Sequence, residues 1–414
     1  MPICPAAGDH ILQRSSCRLA QTLSVSSHKH RRALSDPDAL KRCRERIVAS
    51  DLLEPTAVFA RMMMGMSPLT YLQHCSCNTA IEKGEFRKGD KTSVALADFA
   101  AQALLVAAIH YNFPGDTIVG EEDTAILRGD QGIADRVWEL VSTTHLEDEE
   151  CEKLLQSPIS PSEMLHYIDL GGTSYGGPKG RAWMIDPVDG TKGFLTGGQY
   201  VVCVTLLIDV LETVAAFGCP HVNLESGRIS DQDTDPTGNG FLISAIRGKG
   251  AQVRPLSRGA LLVSQKIEKN NAICDVSKIR FAENCITTSP QFPDRHKIAE
   301  KLGAPWNPIH IYSTQLRYMA LTLGICDVVL RTPKPPDAAA HIWDHAGGVM
   351  VYEEAGGKVT DLNGKDLIFT AGRDLTENFG LVAAPANIHS QVVDATKAVL
   401  RLYPEYGSVI DNTV

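Results

Sequence analysis

The chain lacks any apolar stretch long enough to cross a bilayer. Its uncharged apolar runs, such as Val201 to Ile208, are far short of the ~20 residues a transmembrane helix needs, so no membrane role is expected. It lacks a positive excess: the net charge is −9 over 414 residues. Binding to a nucleic-acid polymer runs on Lys and Arg neutralising phosphates, and that class is excluded. A small phosphate substrate is still permitted if metal ions bring the positive charge. Paired cysteines are missing too. The eleven cysteines are scattered without a Cys-x-x-Cys, Cys75 and Cys77 being the closest two. Neither a zinc ribbon nor a disulfide framework can be read from them, and a reducing compartment, the cytoplasm, is expected. There is no internal repeat. What remains is ordinary for a folded protein, with 43% hydrophobic and 21% charged residues, and the length allows two domains.

The N-terminus stands apart. Within residues 1–33 the only acid is Asp9, while Arg14, Arg18, Lys29, Arg31 and Arg32 lie among serines. This is the composition of a mitochondrial transit segment, or of a plain disordered extension. Residues 1–68 are read as such a divergent N-terminal extension, with a misassigned start as the other reading. Beyond it the pattern sharpens. "VALADFAAQALLVAAIHYNF" predicts a short β-like piece running into a helix, and "TIVGEED" a strand running into carboxylates. "AWMIDPVDG" predicts a strand entering a turn, and "YVVCVTLLIDVLETVAAFGCP" two strands joined near Asp209. "GNGFLISAIRGKGAQV" reads as another hairpin. Later, strand-like "KIRFAEN" and "CDVVLR" alternate with helical "DRHKIAEKLG" and "STQLRYMALTLG". "WDHAGGVMVYEEAGG" reads as a helix capped by Asp344 and closed by Gly356 and Gly357. The pattern predicts two sandwiched α/β domains, residues 69–218 (α+β) and 219–414 (α/β).

The acids Asp98, Glu121, Asp186, Asp189 and Asp344 sit at element ends beside apolar neighbours. Singly, each has a plain explanation: a turn for "DPVDG", a solvated loop for "GEED", a helix cap for Asp344. Together, in order at strand and helix ends, they suit a hard cation that takes oxygen ligands. Pro187 would stiffen the Asp186–Asp189 loop, Gly190 would let the backbone approach a ligand, and a helix starting at Thr191 would aim N–H groups at a phosphate. His341 and His345 have zinc-like spacing without the metalloprotease order, and read as a packed or capping pair.

With "DKTSVALADFAAQ", "VGEED", "WMIDPVDGTKGF" and "IWDHAGGVMVYEEAGGKVTD", the chain resembles the lithium-sensitive inositol monophosphatase superfamily from about Gly89 onward. Within it, "DGTKGFL", "FGCP", "AIRGKGA" and "HIWDHAGG" look like the 3'(2'),5'-bisphosphate nucleotidases. The resemblance implies a five-layered α/β/α/β/α sandwich. It also implies Mg2+, about two or three ions, as cofactor, with Glu121, Asp186, the Val188 carbonyl, Asp189 and Asp344 as metal ligands. Asp98 and Thr191 resemble the pair that orients and deprotonates the attacking water, which is activated by the metal for in-line attack without a covalent intermediate. Gly190, Thr191, Thr314, Arg317, Arg331 and Asp344 match substrate-binding positions, with Thr and Arg at Thr314 and Arg317 where the family usually carries Ser and Lys. In "ENCITTSPQ", Ile286 stands where a His is expected. The implied substrate is a nucleoside bisphosphate, adenosine 3',5'-bisphosphate, acted on by a monomer. The alternatives are an inositol polyphosphate 1-phosphatase or another small phosphate-ester phosphatase, and a catalytically weakened paralogue with a binding or regulatory role.

Overall fold

Alanine and leucine set the character of the first long element. After a short antiparallel pair, β1 (Phe86–Arg87) and β2 (Ser93–Val94), comes α1 (Leu96–Asn112), buried continuously from Leu96 to Ile109. Small side chains let such a helix pack on all sides. The computed structural model describes residues 86–87 and 93–410, apart from 147–148, 225, 227, 232, 236–237, 239, 258–261, 269–274, 285–291, 293 and 337. The expected N-terminal extension over residues 1–68 and the departure at Ile286 lie outside the described residues.

Strand β3 (Thr117–Gly120) follows α1, and then the helices α2 (Ala125–Gly129), α3 (Gln131–Thr143), α4 (Glu149–Leu155) and α5 (Pro161–Gly172). Their starts are local: Asp130 accepts from the Ile133 N–H and Ser160 from the Glu163 N–H, with Pro161 in the first turn of α5. Next come β4 (Arg181–Asp189), the short helix α6 (Thr191–Thr196), β5 (Val201–Ile208), β6 (Leu211–Cys219), β7 (Phe241–Ile246), β8 (Gly250–Pro255) and β9 (Gln265–Lys266). The turn expected at Asp209 is there, with Asp209 at φ 55. Strands β3 to β9 form one seven-stranded sheet in sequence order. Only the β3–β4 pair in it is parallel.

The second sheet has five strands in the order β11-β10-β12-β14-β13. It is built from β10 (Phe281–Glu283), β11 (Ile309–His310), β12 (Val328–Arg331), β13 (Gly357–Thr360) and β14 (Leu381–Pro385), with α7 (His296–Leu302), α8 (Thr314–Thr322), α9 (Ala346–Glu354) and α10 (His389–Leu400) between and after them. Helices α8 and α9 share a core with inward residues of both sheets, such as Met184, Phe217 and Val329. Helices α7 and α10 cover the far face of the second sheet through Ile298, Val392 and Leu330. Helix α1 packs on β3 and β4, on the side where Phe113 stacks on Trp183. The result is the expected five layers: helix, sheet, helix, sheet, helix.

Two expectations are corrected. The division placed at residues 218/219 falls where β6 pairs with β7, so the first sheet continues to Lys266 and the change of sheet lies between Lys266 and Phe281. Helix α9 starts at Ala346 with His345, not Asp344, at the N-cap, and His345 makes no side-chain cap bond. Gly356 is the left-handed residue after the helix (φ 94), whereas Gly357 already belongs to β13. Among the described residues no helix is long and apolar enough to cross a membrane.

Candidate active site

In a regular strand, side chains three residues apart point to opposite faces. Asp186 and Asp189 escape this because β4 carries an extra residue. Asp186 pairs with Cys203 and Asp189 with Val201, so three steps on β4 match two on β5. This β-bulge brings both aspartates to one face, in phase with Ala182 and Met184, which lie in the core shared with α8 and α9. Pro187 sits within the bulge, where the missing N–H costs no ladder bond. Directly after it Gly190, at φ 96, turns the chain into α6. A side chain there would be strained and would press on Ser313 Cβ at 3.1 Å.

The neighbouring elements deliver the other acids to the same place. Strand β3 is parallel to β4 with Gly120 opposite Ile185, so the next residue, Glu121, comes out beside Asp186. From the first turn of α1, buried Asp98 accepts the Ala95 N–H at 2.8 Å through Oδ2. Its Oδ1 accepts the Thr191 hydroxyl at 3.1 Å. That hydroxyl also lies 3.2 Å from the Val188 carbonyl. Asp344 arrives from the turn before α9.

Electrostatics shows the convergence. Burial pushes Asp186 well above the usual carboxylate range, and the negative charges of Glu121, Asp189, Asp344 and Asp98 push it further. Burial, with Asp189 and Glu121 adding and His341 and Arg331 opposing, pushes Asp344 up to about 7. Asp189 is raised by burial, against the donors it faces. Its Oδ2 accepts Ser313 Oγ at 2.7 Å and the Gln315 N–H, and its Oδ1 accepts the Thr314 N–H at 3.3 Å. Helix α8 thus presents its N-terminus to this carboxylate.

The residues expected to bind substrate fall beside the acids. Thr314 is the first residue of α8, and its Oγ1 accepts from Arg317 Nη2 at 2.9 Å. Arg317 Nε is buried and has no hydrogen-bond partner among the described residues. Arg331, the last residue of β12, donates to the carbonyls of Ala338 and Ala339 at 3.2 and 3.0 Å. Neither guanidinium has a carboxylate partner in an ion pair among the described residues. Burial lowers the pKa of both, while the charge of Asp344 favours the cationic form of each.

The two histidines do not meet. His341 is exposed, stacked on Trp343 and bonded to Asp374 at 2.6 Å. His345 is buried and meets the Tyr318 hydroxyl at 3.0 Å. Ser313, Gln315 and Arg373 are site residues that the sequence reading missed. Ser313 was recoverable as a cap before "TQLRYM". Gln315, which donates to the Trp343 carbonyl at 2.7 Å, and Arg373 act only through residues distant in the chain.

Among the described residues, no three His, Cys, Asp or Glu side chains are drawn together tightly enough to coordinate one ion as they stand. The donor chemistry nevertheless fits a hard divalent cation. The set is entirely oxygen, and Asp186 Oδ1 is buried with no hydrogen-bond partner among the described residues. An orphaned carboxylate oxygen amid like charges needs a cation or a proton.

A family model described as the inositol monophosphatase family matches residues 69–401, starting ahead of Gly89. A protein named 3'(2'),5'-bisphosphate nucleotidase from Emericella nidulans is 42% identical over 77% of this chain and 92% of its own. One of the same name from Schizosaccharomyces pombe is 37% identical over 79% and 90%. Among solved structures, an IMPase from Thermotoga maritima superposes with a TM-score of 0.51 at 17% identity, over 82% of this chain and 96% of that one. The extragenic suppressor protein suhB from Bartonella henselae gives the same values. These two show the shared fold.

Proposed function

The chain belongs to the inositol monophosphatase family, and from that membership we propose that it is a Mg2+-dependent phosphomonoesterase. In this reading it removes the 3'(2')-phosphate of adenosine 3',5'-bisphosphate, leaving AMP and phosphate; the reading is supported by relatives named 3'(2'),5'-bisphosphate nucleotidase. The observation that carries the bisphosphate reading is the pair Arg317 and Arg331. Two guanidinium groups with no carboxylate ion-pair partner among the described residues lie beside a carboxylate cluster whose charge they feel. A monophosphate would use the cluster and leave them idle. A second phosphate on the same substrate gives them a counter-charge with fork geometry.

Glu121, Asp186, the Val188 carbonyl, Asp189 and Asp344 would hold Mg2+, which when bound lowers the pKa of water and offsets charge on a phosphoryl group. The rest is done by the chain. Asp98 is fixed by the Ala95 N–H, so its Oδ1 can take the Thr191 hydroxyl proton. The Thr191 oxygen is then an acceptor for a water proton, and the pair orients and deprotonates the attacking water. Gly190 and the first N–H groups of α6 face phosphoryl oxygens, and Thr314 keeps Arg317 aligned. We read the enzyme as a monomer acting in the cytoplasm on a small nucleotide.

The test is phosphate release from adenosine 3',5'-bisphosphate and from inositol 1,4-bisphosphate, with Mg2+ and with a chelator. Turnover of the nucleotide only with Mg2+, and its inhibition by Li+, is expected. Preference for the inositol ester would replace the substrate, and chelator-resistant turnover would remove the metal.

A further inference from the structure

Residues 373–375 run antiparallel to residues 340–342. The Ile342 N–H donates to the Arg373 carbonyl at 3.0 Å, and the Leu375 N–H to the Ala340 carbonyl at 2.7 Å. The His341 ring meets Asp374 between them. The bridge ends two residues before Asp344. From it the Arg373 side chain crosses to the end of β3. Its guanidinium donates to the carbonyls of Gly120 at 2.5 Å, Ser174 at 3.1 Å and Gly171 at 3.3 Å, with the Glu121 carbonyl at 3.5 Å. It also lies over the Trp343 ring, 4.6 Å from the centroid. Gly120 directly precedes Glu121, and Trp343 directly precedes Asp344. One side chain therefore grips the residue before each of two acids that lie more than 200 positions apart in the sequence.

We propose that Arg373 is a positioning residue for the cation site, setting the Glu121 and Asp344 backbones at the separation that a divalent ion requires. The inference rests on the metal reading above. The guanidinium is suited to the task, since its rigid fork of donors serves several carbonyls while its flat face stacks on indole. A lysine could keep the charge and most of the stem, but not the fork or the stacking. A purely structural clamp would affect the melting temperature and leave cation affinity alone, and this difference makes the role testable.

The experiment titrates Mn2+ into the full-length chain, with free Mn2+ followed by electron paramagnetic resonance. Wild type, Arg373→Lys and Arg373→Met are compared, and folding is checked by thermal melts. Both variants are expected to bind Mn2+ about 10-fold more weakly or worse, as for loss of an outer partner of a metal ligand. The Mg2+ concentration for half-maximal phosphate release should rise by the same factor, with the substrate KM at saturating Mg2+ within about twofold of wild type. Arg373→Lys retains the charge and stem, so it guards against a variant that simply unfolds. Folded variants with wild-type Mn2+ affinity would overturn the inference while leaving the metal site intact. Failure of the wild-type chain to bind Mn2+ would overturn the metal reading, and this inference with it.

Discussion

Asp189 faces two demands at once. Helix α8 holds its carboxylate through Ser313, Thr314 and Gln315, and the cation reading asks for its remaining lone pairs. Replacing Asp189 with Asn removes the charge and turns an amide N–H2 toward N–H donors. Asp189→Asn is expected to lower kcat by more than about 100-fold, beyond the usual effect of changing an outer partner; near-normal Mg2+-dependent turnover would sink the assignment. Arg317 allows a sharper test. Arg317→Met should raise the KM for adenosine 3',5'-bisphosphate about 10-fold or more, the cost of a lost charge-assisted bond. The KM for adenosine 3'-monophosphate should barely change, and an equal rise for both would detach Arg317 from the second phosphate. The acids at this scale could be picked out in the sequence because they recur in order at element ends, although each taken alone has a plain structural explanation. Arg373 was not, because its whole meaning lies in carbonyls about 200 to 250 positions away.

Among the elements, the end of β4 decides most. Its turn chemistry could be read from Asp, Pro and Gly. Its bulge could not, because β4 is buried on both faces, which erases the alternation that would have betrayed an extra residue. The reading of Asp344 as a cap went astray for a related reason: an Asp before a helix looks the same whether it bonds to the helix or turns toward a cluster. The α6 turn is tight as well. A Cβ on Gly193 would lie 2.2 Å from the Gln199 carbonyl oxygen, a backbone atom that cannot swing away. Gly193→Ala is expected to destabilise the protein by about 1–3 kcal/mol, as overpacking does. It should also lower kcat, since Thr191 sits on the same short helix. Thermal melts and steady-state rates check both effects, and an unchanged melt would show that the loop can yield.

For the molecule as a whole, the carboxylate cluster couples stability to pH. Asp344, pushed up to about 7, and Asp186, pushed well above the usual carboxylate range, bind protons in the folded chain that an unfolded carboxylate releases near 4. The folded state therefore loses stability as pH rises through that window. Burial pushes His345 and His389 below their ordinary value. These act in the opposite sense, but only up to about 6.5. In chelator, the melting temperature is thus expected to fall between pH 6.5 and 8, and saturating Mg2+ should flatten the fall by binding the native state. A rise over that range in chelator would contradict the cluster. The alternation of strand and helix patterns pointed to two sandwiched α/β domains and the layer order followed only from the family resemblance, while the point where one sheet gives way to the other was visible in neither. The grip of α8 on Asp189 spans about 125 positions of chain, and Arg373 reaches further. Contacts so distant in sequence form late, after loop closure has been met. On dilution from denaturant, helical signal should therefore return before phosphatase activity does, and the interval between the two would time the docking of the second sheet onto the first.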